Sequence, residues 1–242
     1  MKKNIYGKQI LRVFFTIPYF NSTIESMFYL GVNTLPVLII VSAFAGMTSA
    51  IQFYSTFNKI GGTYTVGIFI TYAALRELGP IMAAAVVAGK GGALLTSNIS
   101  FMKDTSQIKA MESLAIDPVK YILAPNIWAA IIITPIMVVI SAITMIIASL
   151  ITYIYQLNGT LGTFNKNFID YSSMTDLTNG LIKGVTFGII IGIVTGIIGL
   201  TSKKGPDGVG GATRKAIVLI IIFSLIANTI LSIIFYGGKY FR

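Results

Sequence analysis

Three ionisable residues lie inside segments that are otherwise apolar. Arg76 and Glu77 are neighbours in one long run, and Lys183 sits in another. At membrane depth such groups are costly unless they are paired or face a polar cavity. Pro80, further along the same run, adds a second demand. It has no N–H to give the carbonyl of Arg76, and its ring crowds that carbonyl. A freed carbonyl therefore stands beside an Arg-Glu pair. Either Arg76 and Glu77 form a mutual ion pair that only fixes a kink, or they line the wall of a cavity. The second reading is favoured, since intramembrane charges usually mark pathways. Lys183 is opposite in charge to Glu77.

Other chemistry is excluded by composition. The chain has no His and no Cys, which removes disulfides, Cys/His metal sites and Ser-His or Cys-His catalysis. Its 8 acidic residues are scattered, so neither a metal site nor a general acid-base pair is expected. Ala88-Gly89-Lys90-Gly91-Gly92 looks superficially like a phosphate loop. Ala84 stands where the first Gly of that loop belongs, and Gly91 where a Ser or Thr must bind Mg²⁺. No nucleotide site of that kind is expected in this chain, and Lys90 reads as a side chain snorkelling to the membrane interface.

The elements that position these residues follow from hydropathy. Of 242 residues, 55% are hydrophobic and 11% charged, against roughly 25% charged in a soluble domain. Mean hydropathy is +0.81. The expectation is an all-α integral membrane protein, a single domain over 1–242 with five spans at 35–57, 64–95, 119–155, 177–200 and 214–236. The second is too long for one straight crossing, about 48 Å at 1.5 Å per residue, so it tilts, breaks or leaves the bilayer. In the fourth, Gly184, Gly188, Gly192 and Gly196 make a groove for another helix, within the subunit or between subunits. Asn228, in the fifth, is a polar group in hydrocarbon that needs a partner.

Residues 1–30 do not read as a signal peptide, because the apolar part is short and broken by Pro18. Ile10, Leu11, Val13, Phe14, Phe15 and Ile17 among basic residues suit a helix lying in the interface. Residues 103–117 read as a short helix outside the bilayer. Asp104 can cap it, with Gln107 reaching back. Ile108, Met111 and Leu114 share one face, and Lys109 and Glu112 mark polar positions. That face lies on lipid or docks into a partner's groove.

The net charge of +10 is read as membrane orientation rather than nucleic-acid binding. The N-terminal stretch, Lys90, Lys103, Lys109, Lys120, Lys203, Lys204, Arg214 and Lys215 fall on one side of a five-span topology. Only Lys59, Lys166, Lys239 and Arg242 fall on the other. The positive-inside rule then puts the N-terminus in the cytoplasm and the C-terminus outside it. An odd number of spans without evident duplication argues against an inverted-repeat carrier.

Several long blocks, in order, resemble the MlaE/YrbE-type permeases of lipid-transporting ABC systems. They are LPV at Leu35–Val37, FAGMTSAIQ at Phe44–Gln52, LRELGPIMAAAVVAGK at Leu75–Lys90, MKDTSQIKAMESLAIDPVKYILAPNIWA at Met102–Ala129 and GVGGATRKAIV at Gly208–Val218. The resemblance implies a homodimeric permease of the inner (cytoplasmic) membrane that moves phospholipid or a related lipid between that membrane and an outer one. It implies a separate cytoplasmic ABC ATPase that holds ATP and Mg²⁺, an MCE-domain protein, and a place for a small STAS-like accessory subunit. No cofactor or catalytic residue is implied in this chain.

The segment with Asp104, Gln107, Ile108, Lys109, Met111, Glu112 and Leu114 would be the coupling helix gripped by the ATPase. Arg76, Glu77 and Lys183 would line or gate the lipid cavity, with Met47, Ala50 and Ile51 against acyl chains. Where the family often has acidic residues this chain has Asn98, Ser106 and Lys109, so its coupling segment is unusually basic and calls for an acidic groove on the ATPase. The alternatives are a permease for another amphiphile or polymer, and a stand-alone channel or secondary carrier.

Overall fold

The computed structural model describes Val13 and residues 18–237. Most of the interfacial helix expected over 1–30 lies outside the described residues, and its last part is helical as α1, Phe20–Leu30. Among the described residues the regular structure is helical throughout, without strands. Five stretches are long and apolar enough to cross a membrane: Phe20–Asn58, Thr63–Asp104, Val119–Tyr155, Met174–Thr201 and Pro206–Tyr236. The chain is an all-α membrane protein.

The first of these stretches holds α1 and α2, Leu35–Asn58, joined by a turn at residues 31–34. The second is neither a straight rod nor a simple kink. It runs as α3, Val66–Tyr72; a π-helical section, Ala73–Leu78; α4, Gly79–Val86; a second π-helical section, Val87–Gly92; and α5, Ala93–Asp104. The first wide section ends at Leu78, two residues before Pro80, and relieves the crowding that a ring imposes on a tight helix. Gly79 is required there, since a Cβ would lie 2.2 Å from the carbonyl oxygen of Ala74.

A turn at Thr105 and Ser106 leads to α6, Gln107–Ser113. A third π-helical section, Val119–Leu123, opens α7, Ala124–Tyr155, and the short α8, Leu161–Tyr171, follows. Then come α9, Met174–Thr201, and α10, Pro206–Tyr236. α10 begins at Pro206 rather than near Arg214. Pro suits the first helical position, and the preceding Gly205 turns the chain with φ +87°.

The described residues form two compact units. One takes the residues up to Thr34 with Ala84–Thr134 and Val185–Ile226, and the other takes Leu35–Ala83, Pro135–Gly184 and those from Ala227. The first is centred on Val13, Ile99, Val119, Ile122, Leu123, Ala124, Ile127 and Leu200. The second has a core of Ala50, Val66, Ile70, Tyr153 and Phe164, with a buried hydroxyl pair, Ser42 to Ser141, at 2.8 Å.

Three of the four spaced glycines of α9 let α7 come to backbone contact. An added Cβ at Gly184 would lie 2.7 Å from Pro135 Cα; at Gly188, 2.5 Å from the Ala130 oxygen; at Gly192, 2.9 Å from Ile127 Cα. Gly196 has only the Leu123 side chain nearby, at 3.2 Å. The groove is therefore filled within the chain.

Candidate functional site

Arg76 and Glu77 lie in the π-helical section before Pro80, and they do not pair with each other. Each has its own counter-charge, drawn from α9. The Arg76 guanidinium donates through Nε to Asp176 Oδ1 at 3.0 Å and through Nη2 to Oδ2 at 3.1 Å. This two-pronged arrangement fixes the guanidinium plane as well as neutralising it. Tyr72, one helical turn earlier, places its ring 3.7 Å from Arg76 Cζ, and the Tyr236 ring lies at 4.8 Å. Arg76 is thus held between a carboxylate and two aromatic faces.

Glu77 receives three donors. Lys183 Nζ reaches Oε1 at 3.3 Å, Ser232 Oγ donates to the same oxygen at 2.7 Å, and Asn228 Nδ2 donates to Oε2 at 2.7 Å. The Asn228 amide N–H thus finds a partner, while its buried Oδ1 has none among the described residues.

Lys183 also answers the demand set by Pro80. Its Nζ donates to the Arg76 carbonyl at 2.5 Å and to Ser232 Oγ at 2.7 Å. The carbonyl that the proline cannot serve is served by a lysine side chain. The third donor of the ammonium goes to Glu77, so its capacity is filled.

Exposure divides the four charges. The Lys183 side chain is fully buried and that of Asp176 is 4% exposed, whereas Arg76 is 26% and Glu77 39% exposed. Each accessible charge is backed by a buried one of opposite sign. Arg76 uses Nε and Nη2 on Asp176, which leaves Nη1 for an anionic group. The network is electrically balanced and can meet a polar group without carrying an uncompensated charge into hydrocarbon.

The apolar residues expected beside it divide. Ile51 is exposed and Met47 half-buried, while Ala50 has no exposed surface and packs into the core with Val66 and Ile70.

The segment after α5 differs from expectation in its cap. Asp104 does not cap α6. It ends α5, and its Oδ1 accepts the Gly205 N–H at 2.8 Å. The cap position is taken by Ser106, which has φ 62° and makes no side-chain capping bond. A carboxylate three residues before the helix is drawn instead to the loop ahead of α10. Ile108 and Met111 pack on the chain's own core beside Val119 and Leu123, while Gln107, Lys109, Glu112 and Leu114 are exposed. Lys90 donates to the carbonyl of Asn33, so it has a specific acceptor as well as solvent.

Sequence reasoning missed Asp176, Tyr72, Tyr236 and Ser232. A signal for the first was present. Asp176 and Lys183 are seven residues apart on α9, two helical turns, and so share a face.

The family model described as "Permease MlaE" matches residues 23–234. A probable ABC transporter permease of Rickettsia prowazekii is 33% identical over 90% of this chain and 84% of its own length. A similarly named protein of Synechocystis is 30% identical over 90% and 82%. The intermembrane phospholipid transport system permease protein MlaE of Haemophilus influenzae is 28% identical over 91% and 85%.

Proposed function

The chain belongs to the MlaE permease family, and from that premise we infer that it is the membrane subunit of an ABC transporter that moves phospholipid. The observation that carries this reading is the family match along nearly the whole chain. In this reading the chain supplies no nucleotide site, and a separate ATPase hydrolyses ATP. Two copies pair, an MCE-domain protein receives or delivers lipid on the outer side, and a small STAS-like subunit has room to join the assembly. The protein sits in the inner membrane with its N-terminus in the cytoplasm, as the distribution of basic residues supports.

The charge network fits the same role. Arg76 and Glu77 meet the polar headgroup, and Lys183 and Asp176 hold them in place from behind. Exposed apolar residues of α2, such as Ile51, meet the tails. The outward side of α6, with Lys109, Glu112 and Leu114, takes the push from the ATPase. Closure of the ATPase dimer moves α6, and the two copies rock to load or expel lipid.

The test is transport of a labelled phospholipid between liposomes by the complex reconstituted with an ABC ATPase and an MCE-domain protein from the same organism. ATP-dependent transfer is expected, with a clear loss for Glu77→Ala. Transfer that does not need ATP would refute the ABC reading. An unchanged rate for Glu77→Ala would refute the cavity role of that residue alone.

A further inference from the structure

A second polar site is built where α10 begins. A cavity of about 350 Å³ lies there, lined among others by Ile198, Ser202, Lys203, Asp207, Gly208 and Lys215. It shares no residue with the network around Arg76 and Glu77. Ser202 is 8% exposed, and its Oγ has no hydrogen-bond partner among the described residues. A buried hydroxyl without a partner is uncommon and calls for one.

Two further features give the sign of that partner. Lys203 and Lys215 outnumber the one carboxylate among the lining residues, Asp207. The N-terminus of a 31-residue helix adds its partial positive charge at the same place.

The loop is held in position. Lys103 Nζ donates to the Ser202 carbonyl at 2.5 Å, and Asp104 accepts the Gly205 N–H. The cavity lies between Thr201, the end of one span, and Pro206, the start of the next. A loop between two spans falls near the level of lipid headgroups, and Ile198 and Ala212 give the cavity an apolar part.

We propose that this cavity binds a phosphate-bearing anion, through the Ser202 hydroxyl, Lys203, Lys215 and the start of α10. Its position at the membrane edge makes a phospholipid headgroup the expected source, held as a resident lipid. Free phosphate carries the same chemistry.

The intact permease in nanodiscs containing phosphatidylglycerol is released into native mass spectrometry, and bound lipid is counted. A parallel arm titrates delipidated protein with inorganic phosphate. The Lys203→Gln/Lys215→Gln pair should lower lipid retention at least about tenfold. Ser202→Ala should lower it severalfold, and Lys204→Gln, which removes one charge outside the cavity, should leave it unchanged. Saturable phosphate binding that the paired variant loses, with lipid retention unaltered, would uphold the anion site and assign it to the free ion.

Equal losses for Lys204→Gln and the paired variant would show diffuse attraction to basic residues and overturn the proposal. So would wild-type binding by Ser202→Ala in whichever arm shows binding, or no binding in either arm. Circular dichroism of each variant separates lost binding from lost fold.

Discussion

The link between Pro80 and Lys183 yields a prediction with a worked magnitude. Lys183→Met keeps the length and apolar stem of a fully buried side chain but removes its donors to the Arg76 carbonyl, Glu77 and Ser232. Leaving this part-buried carbonyl without its donor costs about 1–3 kcal/mol. Losing the ion pair adds about 1 kcal/mol, because Glu77 is 39% exposed and keeps Asn228 and Ser232. The single change should therefore destabilise by about 2–4 kcal/mol. Pro80→Ala returns a backbone N–H to the helix. Combined with Lys183→Met it should recover about 1 kcal/mol beyond the sum of the single changes, because the restored amide now serves the Arg76 oxygen. The assay is an unfolding equilibrium in mixed micelles, followed by far-ultraviolet circular dichroism for wild type, both single variants and the pair. Coupling below about 0.5 kcal/mol, within the scatter of independent sites, would refute the claim that the lysine replaces what the proline withholds.

Asp176→Asn should cost about 1–3 kcal/mol, by weakening two charge-assisted hydrogen bonds to Arg76. The same unfolding assay reads this, and exchanging the two residues, Arg76→Asp with Asp176→Arg, should recover part of the loss. Alanine at the α9 glycines should show a gradient. Gly188→Ala meets backbone at 2.5 Å and should cost about 1–3 kcal/mol, whereas Gly196→Ala meets only a flexible leucine at 3.2 Å and should cost less than about 1 kcal/mol. Equal melting temperatures for these two variants would contradict the packing described. Lys109→Glu, on the exposed side of α6, should weaken co-purification with the ATPase without lowering helicity; undiminished recovery of the ATPase would remove that contact.

What the sequence disclosed depended on whether a constraint was local. Hydropathy marks membrane spans because each is a property of about 20 consecutive residues. The unserved carbonyl was legible too, since Pro80 and Arg76 are one turn apart. The identity of its donor was not fully so, because Lys183 is 107 positions away and a polypeptide of this composition offers several cations. The same distance concealed Asp176. Arg76 and Glu77, adjacent in the chain, invite the inference that they satisfy each other. A wide helical turn instead directs them to different partners, and no propensity of the individual residues announces a π-helical section. The cap of α6 was misjudged for a related reason. Asp104 satisfies every local rule for a capping residue, yet the Gly205 amide is available to it through a tertiary contact.

These outcomes share one physical origin, which also explains why the charges are tolerable. In hydrocarbon a helix can bury a polar group only if another helix supplies its complement. α9 carries an acid and a base on one face, two turns apart, opposite a wide helical section carrying a base and an acid in adjacent positions. Moving the π-helical strip by one residue would bring Glu77 toward Asp176 or Arg76 toward Lys183, like charge against like. The pairing of Arg76 with Asp176 and Glu77 with Lys183 therefore sets the register of α9 against the π-helical section as well as neutralising four charges. It follows that Glu77→Gln should be tolerated better than Glu77→Lys by more than the loss of one ion pair. The first keeps an acceptor for Lys183 and Ser232, whereas the second sets two ammonium groups about 3 Å apart. Yield of folded protein after membrane extraction would read the difference, and similar yields for the two variants would show that charge order does not fix this register.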